Sequence, residues 1–358
     1  MKNYRPTWAE IDLKAILHNL NIAHQKAPNK TIIPVIKANG YGHGAVKIMK
    51  FLIAQNYHYF AVSSLEEALE LRKVSQEVNI LMMGPIDQKS IEVASKNNIE
   101  ITLYDEMITR EVLDHQFDLT CHLKIDTGMH RYGLTDEKII LDLINQCQNH
   151  QTISLKGIYT HFATADSDEE FYDIQKNRFE NIIRKCEKKP EVIHMSNSSS
   201  TLNHEKNFEY TTHVRYGISL YGLSLDKVSH DLIPAMKLKT KIISIKHVEK
   251  GECVGYGQTY CAVEDEWIGI LPIGYADGFL RRNKHGDVEI KRQRFKLVGN
   301  ICMDACFVKI DESIKVGDIV TLFGGQITTD EVAKRNKTIN YEIVTSISYR
   351  VPKKYKGV

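Results

Sequence analysis

Ile32-Ile-Pro-Val-Ile-Lys37-Ala-Asn-Gly-Tyr41-Gly-His-Gly44 changes character within a few residues, and that change sets the pattern for most of the chain. Ile32 to Ile36 read as a strand buried on both faces. A lysine closes that strand, and a glycine-broken loop then leads into a helical pattern over Ala45–Asn56. Strand, polar end, loop and helix make the first half of a βαβ unit. With Ile32–Lys37, the same rhythm recurs at His58–Val62, Val78–Met83, Ile99–Leu103, Leu119–Ile125, Ser154–His161, Glu191–Met195 and Thr212–Arg215. Helical patterns separate most of these runs. Leu65–Val74 opens with Ser64 and has Glu67 at capping-box spacing, and Glu169–Lys189 runs up to Pro190. Eight strands alternating with helices over about 200 residues predict an α/β fold, a (β/α)8 TIM barrel. A doubly wound open sheet is the rival.

After Leu232 the texture changes. Met236–Val248, Glu252–Val263, Trp267–Pro272, Asp287–Leu297 and Asp318–Leu322 are alternating stretches broken by glycine, and Thr329–Asn336 is the first helical pattern among them. This predicts a mainly β second domain. Thr7–Leu13 also alternates and is expected to join it, while Lys14–His24 opens the barrel. The expected division is a barrel over 12–230 and a β domain over 231–358 together with 1–11.

The 358 residues carry 47 Lys+Arg against 45 Asp+Glu, a net charge of +2 that calls for neither nucleic acid nor an anionic membrane. With 26% charged and 8% aromatic residues the chain reads as globular. No apolar run approaches the roughly 20 residues that span a bilayer. The start shows no apolar signal-peptide core, so a cytoplasmic protein is expected. Its seven cysteines are scattered without a Cys-x-x-Cys pair, and reduced thiols and no bound metal are the expectation.

In a barrel, reactive groups belong at the C-terminal ends of the strands. The first delivers Lys37. A lysine there either snorkels to the surface or, desolvated, becomes an amine able to act as nucleophile or base. The fifth ends in Lys124, Asp126 and Arg131, an interior ion-pair set or an anion site. The sixth ends at His161, a residue more often structural than catalytic. The seventh runs into Ser196-Asn-Ser-Ser-Ser-Thr201, a phosphate cradle or simply an N-cap run. The eighth gives Arg215, placed to meet a phosphate or a ring nitrogen. No carboxylate pair suits a glycosidase, and no His-x-His doublet suits a metal. The components match a pyridoxal-phosphate site: an anchoring lysine, a phosphate cradle and a side chain facing the pyridine nitrogen.

Pro-Val-Ile-Lys37-Ala-Asn-Gly-Tyr41-Gly-His-Gly, Lys-Ile-Asp-Thr-Gly-Met-His-Arg131, Tyr-Thr-His161-Phe-Ala-Thr-Ala-Asp166, Val-Arg215-Tyr-Gly-Ile-Ser-Leu-Tyr-Gly, Val-Gly-Tyr256-Gly, Pro-Ile-Gly-Tyr275-Ala-Asp-Gly and Ile-Cys-Met303-Asp304 occur in this order. Together they resemble the alanine racemase family over nearly the whole chain. The resemblance implies pyridoxal 5'-phosphate as cofactor and a homodimer with shared active sites. It also implies interconversion of L- and D-alanine, with D-alanine destined for the bacterial cell wall. Lys37 would anchor the cofactor and serve the D face of the substrate α-carbon. Tyr256 of the partner subunit would serve the L face, assisted by His161 and Arg215, since a free phenol titrates near 10 and needs help at neutral pH.

By the same resemblance, Tyr41, Ser198, Gly217, Ile218 and Tyr349 would hold the phosphate, with Asn197 beside them. Arg131 would meet the cofactor phenolate and the substrate carboxylate. Met303 would offer its backbone N–H to that carboxylate, and Tyr275 would line the entryway. Lys124 falls where some members carry a carbamylated lysine. This sequence departs from the family pattern at Ser199, which adds a hydroxyl, and at Asn300, where arginine is usual. Alternatives within and beyond this chemistry are a serine or broad-specificity racemase, a decarboxylase using the same cofactor, and a non-catalytic pyridoxal-phosphate-binding protein.

Overall fold

All eight apolar runs are strands in the computed structural model, which describes residues 4–204, 208–225 and 231–357. They are β1 (Thr31–Pro34), β2 (Tyr59–Val62), β3 (Asn79–Met82), β4 (Ile101–Leu103), β5 (Leu119–Lys124), β6 (Ile153–Tyr159), β7 (Val192–His194) and β8 (His213–Tyr216). β1-β8-β7-β6-β5-β4 form one parallel run and β2-β3 a second. Parallel bridges Val35–Ala61 and Leu81–Glu100 join the two runs at both gaps. The ring is therefore closed, which excludes the open sheet.

Alternation along each strand decides what the barrel holds, since neighbouring side chains point to opposite faces. Phe60, Leu123, Ile158 and Val214 share one face and are buried in the apolar core. The other face carries Ile33 and Leu81 together with the polar groups His122, Lys124, His194 and Arg215, all buried as well. Gly157 on β6 faces His122, where an added Cβ would lie 2.2 Å from the imidazole Nδ1. Only glycine leaves room for that ring.

The helices begin where expected and end early. Ala45–Ile53 stops short of Asn56, and Leu65–Arg72 opens with the Ser64–Glu67 capping box. Glu169–Lys185 ends four residues before Lys189, because Cys186 has already turned extended (φ −67°, ψ 121°).

The chain divides into two compact units, Leu17–Gly40 with Ala45–Leu232, and Met1–Ile16 with Tyr41–Gly44 and Ile233–Val358. The expected boundary at 230 falls on residues 226–230, which lie outside the described ones. The second unit is built on a nine-stranded sheet in the order Ser244–Val248, Glu266–Leu271, Cys306–Ile310, Gln293–Val298, Asp287–Ile290, Ile319–Phe323, Met236–Lys241, Trp8–Asp12, Lys353–Lys356. Trp8–Asp12 pairs antiparallel with Met236–Lys241 and parallel with Lys353–Lys356, so the amino-terminal strand does join the β unit. Met236–Val248 is two strands rather than one. Cys306–Ile310, Lys353–Lys356 and the helix Asn340–Thr345 are elements that the sequence pattern did not announce.

The expectation of seven reduced thiols does not hold in the structure. Cys253 and Cys261 are bonded as a disulfide, with Cα atoms 3.9 Å apart across an isolated antiparallel bridge. Their spacing matches no local motif; a tight reversal of the backbone brings them opposite each other. Among the described residues no helix is long and apolar enough to cross a membrane.

Candidate active site

Lys37 is presented by an unusual turn. Ala38, Asn39, Gly40 and Tyr41 all adopt left-handed backbone, with φ of 50°, 53°, 63° and 49°. Three of these are not glycine, at about 1–2 kcal/mol each. The turn is held by Gly40 N–H donating to Ile36 C=O at 2.8 Å and Ala45 N–H to Asn39 Oδ1 at 3.0 Å. The Glu67 carboxylate also accepts from the amides of Ala38 at 2.6 Å and Ser63 at 2.9 Å. One helix N-terminus thereby fixes the loop behind the lysine. Burial pulls the Lys37 amine below the ordinary lysine range, the nearby Arg131 and Arg215 add to this, and Glu67 opposes it.

Lys124 ends β5 with its ammonium donating to Tyr132 C=O at 2.8 Å. Burial, reinforced by Arg215 and opposed by Asp126, pushes its pKa down to about 8. Asp126 is occupied with its own loop, accepting from the amides of Gly128 at 2.8 Å and His130 at 3.1 Å. Arg131 is exposed beyond that loop. His161 follows β6, and Gln175 clamps it from below, donating to His161 C=O at 3.2 Å and accepting from Ala163 N–H at 2.8 Å. Burial together with Arg215, Arg131, Lys124 and Lys37 holds His161 well below the ordinary histidine value, so its ring is neutral at pH 7. Its Nδ1 accepts from Arg215 at 3.3 Å.

Ser198 ties two loops together, its hydroxyl accepting from the amides of Gly217 at 3.0 Å and Ser219 at 3.3 Å. Asn197 is the N-cap of Ser198–Asn203, its Oδ1 accepting from Ser200 N–H at 3.0 Å. The N-cap reading of this segment is thus realised, beside a loop of small donors. Arg131 and Arg215 act electrostatically on both Lys37 and Lys124, opposed by Glu67 at the first and Asp126 at the second. Such a mouth fits an anionic ligand bearing phosphate, phenolate or carboxylate groups.

Arg215 is fixed by a chain of side chains that the motifs in the sequence did not reveal. Its NH1 donates to His194 Nδ1 at 2.8 Å, and its NH2 to Thr160 C=O at 2.8 Å and Met195 C=O at 2.9 Å. A guanidinium can only donate, so His194 carries its proton on Nε2. That Nε2 lies 3.0 Å from His122 Nδ1, which must accept, and His122 Nε2–H then faces Glu100 Oε2 at 3.1 Å. Tyr59 also donates to Glu100, and Lys156 donates to it at 2.5 Å. Every donor in the chain points from the arginine toward the carboxylate. Burial drives both imidazoles to lower pKa, His194 well below the usual value, so two neutral rings separate a cation from an anion. Glu100 and Lys156 line a cavity of about 730 Å³ whose other walls include Asn79, Leu119, Ile153 and Glu191, at the N-terminal ends of the strands. Alternation shows which of these side chains share a face, His122 with Lys124 and His213 with Arg215, but not that they meet across strands.

Burial raises the Glu100 carboxyl, but His122 and Lys156 outweigh it and bring it from about 4.5 down to about 2. A depressed carboxyl stabilises the fold fully above its unfolded pKa and loses that contribution as pH falls through the folded one. Glu100→Gln is therefore expected to lower the melting temperature at pH 7, reflecting about 3 kcal/mol. The gap from the unaltered protein should narrow between pH 4.5 and 2. A gap that is constant over that window in calorimetry would refute the ionised assignment.

In the β unit, one cleft of about 920 Å³ gathers Tyr256, Tyr275 and Met303. All three are exposed, at 73%, 37% and 52%. The Gly274-Tyr-Ala-Asp-Gly278 turn docks on Cys302 and Met303, whose carbonyls accept from Tyr275 N–H at 3.0 Å and Ala276 N–H at 3.1 Å. Buried Asp277 locks it, pairing with Arg5 at 2.5 Å and accepting from Gly274 N–H at 3.0 Å. Asn300 braces the neighbouring loop, its side-chain amide donating to Tyr256 C=O at 2.9 Å. Tyr41 packs edge-on to Tyr341 in this unit, and Tyr349 stands 93% exposed.

A closed barrel with a strand-end lysine among arginines, followed by a β unit that presents tyrosines around a cleft, defines a two-domain barrel enzyme class. Residues 11–225 match the family described as alanine racemase, N-terminal domain, and residues 235–355 match alanine racemase, C-terminal domain. The alanine racemase of Halalkalibacterium halodurans is 40% identical, covering 98% of this chain and 95% of that protein. The crystal structure of alanine racemase from E. faecalis superposes with a TM-score of 0.94 at 34% identity, covering 99% of each chain. A histidine racemase from Leuconostoc mesenteroides superposes with a TM-score of 0.91 at 26% identity, again over 99% of each chain. The chain belongs to the alanine racemase family.

Proposed function

We propose that this protein is a pyridoxal-phosphate-dependent alanine racemase that interconverts L- and D-alanine. The observation that carries the reading is Lys37, desolvated at the end of the first barrel strand and set among Arg131, Arg215 and Lys124. Pyridoxal phosphate, when bound, supplies the electron sink that acidifies the substrate α-C–H. Lys37 would hold it covalently. Ser198, Gly217 and Ile218 from the barrel, with Tyr41 and Tyr349, would hold its phosphate, next to Asn197. Arg131 would meet its phenolate and the substrate carboxylate. Arg215 would face the pyridine nitrogen; permanently charged, it does not readily give up a proton, which discourages reactions that need a fully protonated ring.

Inverting a centre requires one proton carrier on each face. Lys37 Nζ would move the α-proton on the D face and Tyr256 of the partner subunit that on the L face. The exposed Tyr256, Tyr275 and Met303 around one cleft are the surface a second subunit would cover, and this supports a homodimer. Met303 would offer its N–H to the carboxylate, with Tyr275 at the entry. Neutral His161, between Arg215 and the substrate, would draw on the phenol proton. Lys124, with a pKa of about 8, holds a sizeable uncharged fraction near neutral pH, the form that reacts with carbon dioxide; the resulting carbamate would orient Arg131. A cytoplasmic, biosynthetic role completes the proposal.

A serine or broader racemase is the second reading, favoured by the fold's likeness to a histidine racemase. One added group is worth only about 1–3 kcal/mol of discrimination. Relative turnover of L-alanine, L-serine and L-histidine decides between them, with alanine expected first. Borohydride should fix the cofactor irreversibly on Lys37. An adduct elsewhere, or none, would remove the basis of the assignment.

A further inference from the structure

We infer that Cys253 and Cys261 form a reversible thiol–disulfide exchange site that sets how firmly the Tyr256 loop is held. The effect on catalysis rests on the role proposed for Tyr256. The two sulfurs close the segment Val254 to Tyr260, with Tyr256 at its tip. Gly255, Gly257 and Gln258 all have left-handed backbone, with φ of 76°, 72° and 48°. The two glycines adopt it without steric cost and Gln258 alone at a penalty, so the loop is pliant and depends on its ties. Val254 N–H donates to Tyr260 C=O at 2.9 Å, Gln258 N–H to Gly255 C=O at 3.4 Å, and Asn300 to Tyr256 C=O at 2.9 Å. The disulfide is the covalent member of this set and sits at the neck of the loop.

The exposed Cys261 sets this pair apart from the other thiols. Cys121, Cys147, Cys186 and Cys306 are buried and Cys302 is half-buried, while Cys253 is half-buried and Cys261 exposed. Neither member of the pair lines the Tyr256 cleft. Exchange reactivity follows thiolate access. The co-reactant is a small-molecule disulfide of the glutathione type. One protein thiolate attacks it, forming a mixed disulfide and releasing one thiol. The second protein thiolate then attacks the protein sulfur, forming the Cys253–Cys261 bond and releasing the second thiol. Two electrons pass from the cysteines to the small disulfide, and the two cysteine protons end on the released thiols. In a reducing cytosol the reverse reaction with the reduced thiol opens the bond.

The test uses the full-length, cofactor-loaded protein equilibrated with excess oxidised glutathione or with dithiothreitol. Intact mass and peptide mapping should show the 253–261 crosslink forming and opening reversibly. In the reduced state, amide exchange over 254–260 should accelerate about tenfold, and kcat should fall about threefold to tenfold. Cys253→Ser/Cys261→Ser should match the reduced state in either buffer. Persistence of all seven free thiols, equal exchange in both states, or equal kcat in both states would each overturn the inference. Absence of racemisation in both states, with crosslinking and exchange as expected, would instead overturn the role given to Tyr256 and leave the exchange site standing.

Discussion

Tyr256→Phe is expected to lower alanine racemisation by about 10²–10⁴ while leaving the cofactor bound to Lys37. The substitution removes one oxygen from a side chain that is 73% exposed, and the loop's ties run through the Tyr256 carbonyl, which the variant retains. Folding should be unaffected, so a melting temperature within error of the unaltered protein accompanies the loss. The visible absorbance of the bound cofactor should also persist. Retained activity would show that a second carrier on the L face exists and would refute the two-base scheme.

Lys37→Ala carries the other large effect, a loss of about 10⁴-fold or more, because one group both anchors the cofactor and serves the D face. The visible absorbance band should vanish with it. Added methylamine should restore part of the activity, since a free amine can take up the vacated proton-carrying role. The left-handed turn behind the lysine depends on backbone and on Asn39 and Glu67, so it survives the change. Activity near the unaltered level would refute the reading of the barrel mouth.

The barrel was legible because its strands, buried on both faces, appear as unbroken apolar runs that stop abruptly at polar residues. Lys37, Lys124, His161 and Arg215 could be placed for the same reason: each lies where such a run ends. Trp8–Asp12 announced its place in the β unit through strict alternation. What escaped detection depends on pairing between distant segments. Cys306–Ile310 and Lys353–Lys356 are short strands whose identity comes from their neighbours in the sheet. The Cys253–Cys261 bond exists because three left-handed residues reverse the chain between them. The run from Arg215 through His194 and His122 to Glu100 unites three barrel strands in all and the segment before β4. Sequence parity places those side chains inward but cannot rank them as neighbours. Asn300 reads as a departure from the family pattern, yet in the structure it holds the Tyr256 carbonyl.

Whether Lys37 and Tyr256 serve opposite faces of one α-carbon can be read from α-hydrogen exchange of each alanine enantiomer in deuterium oxide with the Tyr256→Phe protein. D-alanine is expected to continue losing its α-hydrogen to solvent through Lys37, while exchange of L-alanine collapses with racemisation. Equal exchange of both enantiomers, or loss of D-alanine exchange with L-alanine exchange preserved, would contradict the two-face assignment.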